Sequence, residues 1–430
     1  MKTPICDFLS DYQKSGRLRL HMPGHNGEFS HDITEISGAD SLYESDKSGG
    51  IICCSENLAS VNYKAGKTMY SCGGSTLAIQ TALAVLKSQG CKTIAAGRYS
   101  HKSLVSAAAL LGLEIKWLYP DEYLSADMVI DEQAMSGVDA VFVTNIDYYG
   151  GTFSGWDKIP QNMPIVCDNA HGAYLAFVDN TLYGAEYIHP MRRDRPIISA
   201  ESAHKTLPVL TGGAYLHFSK GIDCSRAKEF MGMFGSSSPS YPMMEGLDRF
   251  NNIISSDPEL VNRACASVAL VKNNLLKMGV PLKNSDPLRI VIDTRQWGYS
   301  GVEYAAELRN NGVECEMADD NYVVLLFSAV TTVQEAQRAE LAVKFVKQRQ
   351  PLEKNNYPVV KTKQQLPLAQ AMFAQQKTVA LENTVGEICG GIIAPCPPCV
   401  PLIMPGEEIT AEAAKALAMY GVKQVSVVVR

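Results

Sequence analysis

The chain has 430 residues, 46% hydrophobic and 20% charged, the balance of an ordinary globular protein with length for two or three domains and a sizeable core. Its net charge of −6 argues against nucleic acid or an anionic membrane as partner and suits a cationic small molecule. There is no run of about 20 apolar residues to form a transmembrane helix, and Met1–Asp7 lacks the apolar core of a signal peptide. The expected address is the cytoplasm, where the 12 cysteines are reduced and mostly buried.

Residues 1–50 are polar and turn-rich and read as an N-terminal arm. They include His21-Met22-Pro23-Gly24-His25-Asn26-Gly27, a Pro-Gly turn between two histidines, and a loop ending in Gly49-Gly50. A large domain is expected over 51–285. In it Ser71-Cys72-Gly73-Gly74-Ser75-Thr76 runs into a helix-spaced stretch, Leu77–Gln89. Lys92–Ala96 reads as a strand, and Arg98-Tyr99-Ser100-His101 opens a second helix through Leu111. Val141–Thr144 is a strand leading to the loop Tyr148-Tyr149-Gly150-Gly151. Pro164–Cys167 is another, ending in Asp168-Asn169-Ala170-His171-Gly172. Ile197-Ile198 leads into Ser199–Gly213, which carries Ser202, His204, Lys205 and Thr206, and Ala214–Phe218 leads out. Strands alternating with helices predict an α/β fold, a mostly parallel sheet flanked by helices. The polar residues recur at strand C-termini, where open α/β sheets bind ligands.

Ser236–Tyr241 reads as a small loop, and 258–277 as a long helix joining the large domain to a smaller one. That smaller α+β domain, 286–350, has strand Leu288–Ile292, helix 302–310, strand Tyr322–Phe327 and helix 333–348. Residues 350–364, with Pro351 and Pro358, read as a linker. The C-terminal region, 365–430, holds the Pro-rich loop Pro395–Pro401, then Pro405-Gly406-Glu407-Glu408, a helix from about 410 and the strand Val425–Val429.

The chemistry centres on Lys205. An amine at the end of a buried strand among small hydroxyl residues is partly desolvated, which lowers its pKa and makes it a nucleophile for a Schiff base; the other reading is a solvated surface lysine. With Asp168 at a neighbouring strand end, the pair meets the needs of a pyridoxal phosphate site: a lysine to bind the carbonyl and a carboxylate to keep the ring nitrogen protonated. Alone, Asp168 also reads as a turn former. His101 at a helix start can lie flat on a cofactor ring or serve only the helix end. Gly73-Gly74-Ser75-Thr76 offers N–H groups and hydroxyls to a phosphate or is an ordinary cap, and it lacks the lysine of a P-loop. Asp168, His171 and His204 have no Cys/His spacing around them, so no metal is expected. Cys396-Pro-Pro-Cys399 reads as a redox pair, a half zinc site, or a plain turn.

In order along the chain stand His-Met-Pro-Gly-His at 21–25, Gly-Ser-Thr at 74–76, His-Lys-Ser at 101–103, Tyr-Tyr-Gly at 148–150, Asp-x-Ala-His-Gly-Ala at 168–173, Ser-x-His-Lys-Thr-Leu at 202–207, Ser-Ser-Pro-Ser-Tyr at 237–241, Glu-Met-Ala-Asp at 316–319 and Pro-Pro-x-x-Pro-Leu…Pro-Gly-Glu at 397–407. With these the chain resembles the Orn/Lys/Arg decarboxylase family, on the fold-type-I (aspartate aminotransferase-like) pyridoxal phosphate fold, in a short form without the N-terminal wing domain. The resemblance implies Lys205 as the Schiff-base lysine, Asp168 as the pyridinium partner and His101 stacked on the ring. Ser75, Thr76, Ser202 and His204 would hold the phosphate, and His171 would line the ring edge. It implies decarboxylation of lysine, ornithine or arginine to the amine and CO₂, chemistry of polyamine biosynthesis. It also implies a homodimer or higher homo-oligomer with shared active sites, the 236–241 loop reaching the neighbour's cofactor.

Departures from the family pattern fall in outer loops that would shape the substrate pocket: Asn26 for lysine, Cys396 and Cys399 in place of the Tyr-Pro-Pro-Gly ends, an altered 41–50 segment, and Gly73 for asparagine. They motivate an alternative, another pyridoxal phosphate reaction or a non-standard amino acid on the same fold. An idle regulatory paralogue is a third reading, against which the retention of Lys205 and Asp168 counts. Glu316, Asp319 and Glu407 are candidates to face a substrate's distal cation.

Overall fold

The structure, a computed structural model, describes residues 2–20, 22–25, 32, 50–236, 238, 240–395 and 400–429. The expectations placed on His21, Asn26, 41–49 and the Cys396/Cys399 pair lie outside these residues, as do Ser237 and Pro239 of the 236–241 loop.

Short apolar runs make the central strands: β1 (Lys67–Ser71), β2 (Thr93–Gly97), β3 (Glu114–Leu118), β4 (Ala140–Thr144), β5 (Ile165–Asp168), β6 (Ile197–Glu201) and β7 (Ala214–Phe218). They form a seven-stranded sheet in the order β1-β7-β6-β5-β4-β2-β3. Every residue of β5, β6 and β7 is buried, as expected for strands covered on both faces. β2 runs parallel to β3 and β4, and β5 parallel to β6, while β7 is antiparallel to both β6 and β1. The expected mostly parallel sheet with flanking helices is present.

The chain divides into two compact units. The first comprises Met1–Ser88, Asn162–Ser267 and Phe327–Thr332. Here the helix Gly74–Ser88 buries Leu77, Ile79, Leu83 and Leu86 and packs on β5, β6 and β7. The second comprises Gln89–Gln161, Val268–Leu326 and Val333–Arg430. It holds a four-stranded antiparallel sheet of β8 (Leu282–Lys283), β9 (Arg289–Asp293), β10 (Met317–Ala318) and β11 (Tyr322–Leu326), ordered β10-β11-β9-β8. It also holds an antiparallel pair, β12 (Gln376–Ala380) with β13 (Gln424–Val428), over a core of Cys389, Ile403, Leu417 and Val427.

Several elements went unread in the sequence. The helix Ile51–Tyr63 buries Ser55, Glu56 and Ser60 alongside Ile52 and Ala59, so no apolar stripe marks it. Its Glu56 forms a buried ion pair with Lys228 and accepts the Tyr70 N–H at 2.8 Å. The helix Tyr241–Ser256 begins where a Ser/Pro-rich loop was expected to end; Pro242 sits in its first turn, where a missing N–H costs nothing. Its Asp248 accepts the N–H groups of Ile5 and Cys6 at 3.1 and 3.0 Å, tying the start of the helix Pro4–Lys14 to the first unit.

Glu407, one of the acidic candidates, is 1% exposed and has a buried partner in its own unit. Arg98 donates to its two carboxylate oxygens at 2.6 and 2.8 Å and to the Leu402 carbonyl at 3.0 Å. Removing one member of such a pair leaves a buried charge alone. Glu407→Ala is therefore expected to lower unfolding free energy by about 3–5 kcal/mol, read as a shifted denaturation midpoint. Arg98→Met with Glu407→Leu is expected to lose clearly less.

Candidate active site

β6 ends at Glu201, and the chain then makes a single helical turn, Ala203–Thr206, that carries His204 and Lys205. So short a helix has almost no internal bonding, and the surroundings fix it. Lys205 N–H donates to the Ser202 carbonyl at 3.1 Å and His204 N–H to the Gly213 carbonyl at 3.2 Å. The Thr206 carbonyl accepts the Ala329 N–H at 2.8 Å and the Ser328 hydroxyl at 3.3 Å, so the distant Phe327–Thr332 segment of the same unit closes the turn. Lys205 is half-buried, with its Nζ 3.1 Å from His171 Nε2.

β5 ends at Asp168, 5% exposed, whose Oδ1 accepts the Ala170 N–H at 3.1 Å in a local turn. The Gly172 N–H closes that turn on the Asn169 carbonyl at 2.9 Å, which sets His171, 7% exposed, beside Lys205. A third arm is the start of the helix Gly74–Ser88, where the Ser202 hydroxyl donates to Ser75 Oγ at 2.8 Å. The first-turn N–H groups have no acceptor within the helix and favour an anion there.

The Gly212-Gly213 turn joins these arms. The Gly212 carbonyl accepts the Gly74 N–H at 2.9 Å; the Gly213 carbonyl takes the His204 N–H and lies 3.1 Å from His204 Nδ1. Gly212 has φ +95°, a region that side chains rarely tolerate.

Of the residues expected at the site, the first unit thus brings together Lys205 with His171 and Ser75 with Ser202. Asp168 stands at the base of the same turn as His171. The His204 ring is turned to the Gly213 carbonyl, and Thr76 is exposed on the helix start. His101 belongs to the second unit, as N-cap of the helix Lys102–Leu111 after β2. Its Nδ1 accepts the Ser103 N–H at 3.2 Å and meets the Ser103 hydroxyl at 2.9 Å, which fixes the ring.

Sequence reasoning missed what underlies these residues. Glu201 is fully buried, and its Oε1 accepts from Asn169 Nδ2 at 2.9 Å and Ser199 Oγ at 2.8 Å. His189 Nε2 lies 2.7 Å from Oε1 and His217 Nε2 3.5 Å from Oε2. The only local signal was a charged residue inside an apolar strand; nothing announced partners at 169, 189 and 217. Burial raises the Glu201 pKa, but attraction and hydrogen bonds from the two histidines outweigh it and hold the carboxyl well below the usual range. Burial pushes the His217 imidazole down. A carboxyl depressed in the folded state contributes stability above its unfolded pKa, about 4.3, and loses it as pH falls through the folded value. Wild type is therefore expected to melt above Glu201→Gln at neutral pH, with the gap closing on acidification, followed by thermal denaturation across pH.

The models for the Orn/Lys/Arg decarboxylase major and C-terminal domains match residues 26–277 and 347–424. The protein YaaO of Bacillus subtilis is 27% identical, over 97% of this chain and 94% of its own length. An arginine decarboxylase of Bacillus anthracis is 23% identical, over 96% and 91%. In fold, the lysine decarboxylase LdcF of Francisella novicida matches with a TM-score of 0.81 at 17% identity, over 99% of this chain and 81% of that one. The constitutive lysine decarboxylase of Escherichia coli matches with 0.79 at 16% identity, over 100% and 82%. A major-domain match across more than half its length places the chain in the Orn/Lys/Arg decarboxylase family, among the pyridoxal-phosphate-dependent amino-acid decarboxylases.

Proposed function

We propose that this chain removes CO₂ from a basic amino acid, lysine, ornithine or arginine, with pyridoxal phosphate attached to Lys205. The observation that carries the reading is the half-buried Lys205 amine 3.1 Å from His171 Nε2, with Asp168 at the base of the same turn. The residues present fit the cofactor. A lysine for its carbonyl, a carboxylate for its ring nitrogen, and paired hydroxyls at the start of a 15-residue helix for its phosphate stand in one unit. The names of the arginine and lysine decarboxylases it resembles, and its net charge of −6, favour a cationic substrate.

When bound, the cofactor supplies an electron sink for the bond broken as CO₂ leaves. The chain's own groups do the rest. Ser75, Thr76 and Ser202 bind the phosphate together with the helix N–H groups, and His204 braces that arm through the Gly213 carbonyl. Asp168 would hold a proton on the ring nitrogen, and His101 would cover the ring. Lys205 would hold the cofactor through its carbonyl, and its amine is the group to return a proton to the substrate α-carbon. His171, at hydrogen-bond distance from Nζ, orients that amine and exchanges its proton. The active form is a cytoplasmic homodimer or larger homo-oligomer with shared sites. Its parts are an arm (1–50), a cofactor domain (51–285), a small domain (286–350) and a C-terminal region (365–430).

Purified protein given pyridoxal phosphate is expected to turn yellow and, after borohydride, to carry a stable adduct on the Lys205 peptide by mass spectrometry. Lys205→Ala is expected to carry none and to lose on the order of 10²–10⁴-fold or more in rate. CO₂ release is to be measured with lysine, ornithine and arginine in turn. Release from none of the three would overturn the substrate assignment, and a colourless protein would overturn the cofactor.

A further inference from the structure

A buried polar cluster of the first unit adjoins the candidate site: Glu201, His189 and His217, each 0% exposed, with Asn169 and Ser199. Two histidines and a carboxylate within 4.8 Å suggest a metal, but the geometry is against it. His189 Nδ1 accepts the Met191 N–H at 3.2 Å, so the neutral ring carries its proton on Nε2. That nitrogen, the one facing Glu201, then has no lone pair for a cation. Its 2.7 Å approach to Oε1 is also short for co-ligands, which in a tetrahedral shell with bonds of about 2.0–2.1 Å lie about 3.3 Å apart. The cluster is a buried carboxylate that takes two donors, Asn169 and Ser199, on one oxygen, with two imidazoles beside it.

That anion sits where two functional strand ends meet. Asp168 pairs with Ala200 in the β5–β6 ladder, and the next residues are Asn169 and Glu201. Asn169 continues the ladder with its N–H to the Ala200 carbonyl at 2.9 Å, and its side-chain amide reaches Glu201 Oε1. On its other side Asn169 is wedged against Gly172: a Cβ there would lie 2.0 Å from Asn169 Oδ1. The Asn169 side chain is thus clamped between Glu201 and the backbone that carries His171. On the second strand Glu201 immediately precedes Ser202, whose hydroxyl meets Ser75, and the turn of Lys205.

We propose that Glu201 is a positioning residue for the reaction. Through Asn169 its carboxylate holds the 168–172 turn, so that Asp168 and His171 keep fixed places relative to Lys205 on the adjoining strand. The role rests on the functions assigned above to Asp168, His171 and Lys205. An acceptor is needed because Ser199 and Asn169 both donate to one oxygen, which an anion takes with no competing donor of its own. The tether makes no contact with substrate. Its loss loosens the place of His171 beside the amine without emptying the site.

Substitution of Asn169 tests this. Asn169→Asp sets two carboxylates against each other. It is expected to lower kcat roughly 100-fold, the scale of an ångström of misplacement, with KM changed only a few-fold. The pH at which the visible band of the bound cofactor titrates is expected to shift as well. Asn169→Ala, which cuts the tether without adding charge, covers the case in which Asn169→Asp fails to fold; a kcat loss with KM and melting temperature nearly kept supports the role. If Asn169→Ala keeps wild-type kcat and spectral titration, the role is overturned. Stoichiometric metal released on unfolding the wild-type protein would overturn the assignment of this cluster. Wild-type protein that binds no pyridoxal phosphate instead overturns the functional reading, and this role with it, so the two failures are told apart.

Discussion

Glu201 is a buried anion in the first unit, and its surroundings are built around it. Burying a carboxylate is costly unless its lone pairs are met, and that demand explains an otherwise odd set of residues. Ser199 inside an apolar strand, Asn169 after a strand end, His189 after a loop and His217 inside β7 all turn toward Glu201. Tyr63 and Tyr215 pack against the histidines and shut water out, with the Tyr63 and His217 rings 4.4 Å apart. Because Asn169 follows the end of β5 and Glu201 ends β6, their contact also ties those two strand ends together. Asp168, His171, Ser202 and Lys205 each lie within three residues of Asn169 or four of Glu201. Placement of the chemistry and burial of the charge are one problem with one solution.

The Gly212-Gly213 turn performs a related task with backbone alone. Its two carbonyls hold the first N–H of the helix Gly74–Ser88 and the turn of His204 and Lys205. The helix start and the lysine turn are therefore tied to one hairpin end, and a residue with a side chain at 212 would have to adopt φ +95°. Functional turns of this kind rely on few bonds and gain rigidity from the strands on either side.

The sheet was largely legible because its strands rest on local patterning, and so were the groupings of Lys205 with His171 and Ser75 with Ser202. Apolar runs ending in polar residues gave β2, β4, β5 and β7 to within about a residue or two. The spacing after Gly73-Gly74 gave the helix that follows. Elements held by long-range polar contacts were not legible. The helix Ile51–Tyr63 buries Glu56 only because Lys228 lies across from it, and its sequence shows no stripe. The edge strand β3 keeps Glu114 exposed and Lys116 half-buried, so no run of apolar residues marks it. Ser328 and Ala329, which close the lysine turn, stand more than a hundred residues from it. Glu201 could be seen as a charge in a strand, but its partners are a property of the fold.

The cationic substrate proposed above would need an acid to meet its distal charge. Two acids that the sequence offered for that task are already committed inside the second unit. Glu407 is neutralised by the fork of Arg98, both side chains being almost wholly buried. Asp319 accepts the Tyr149 hydroxyl and the N–H groups of Asn321 and Tyr322, and burial pushes its carboxyl up. An acid spent on an internal partner presents little field to a ligand, and freeing it would leave Arg98 buried without its counter-charge. Both carboxyls therefore serve contacts inside the second unit, and a cation from outside would have to displace a partner already in place.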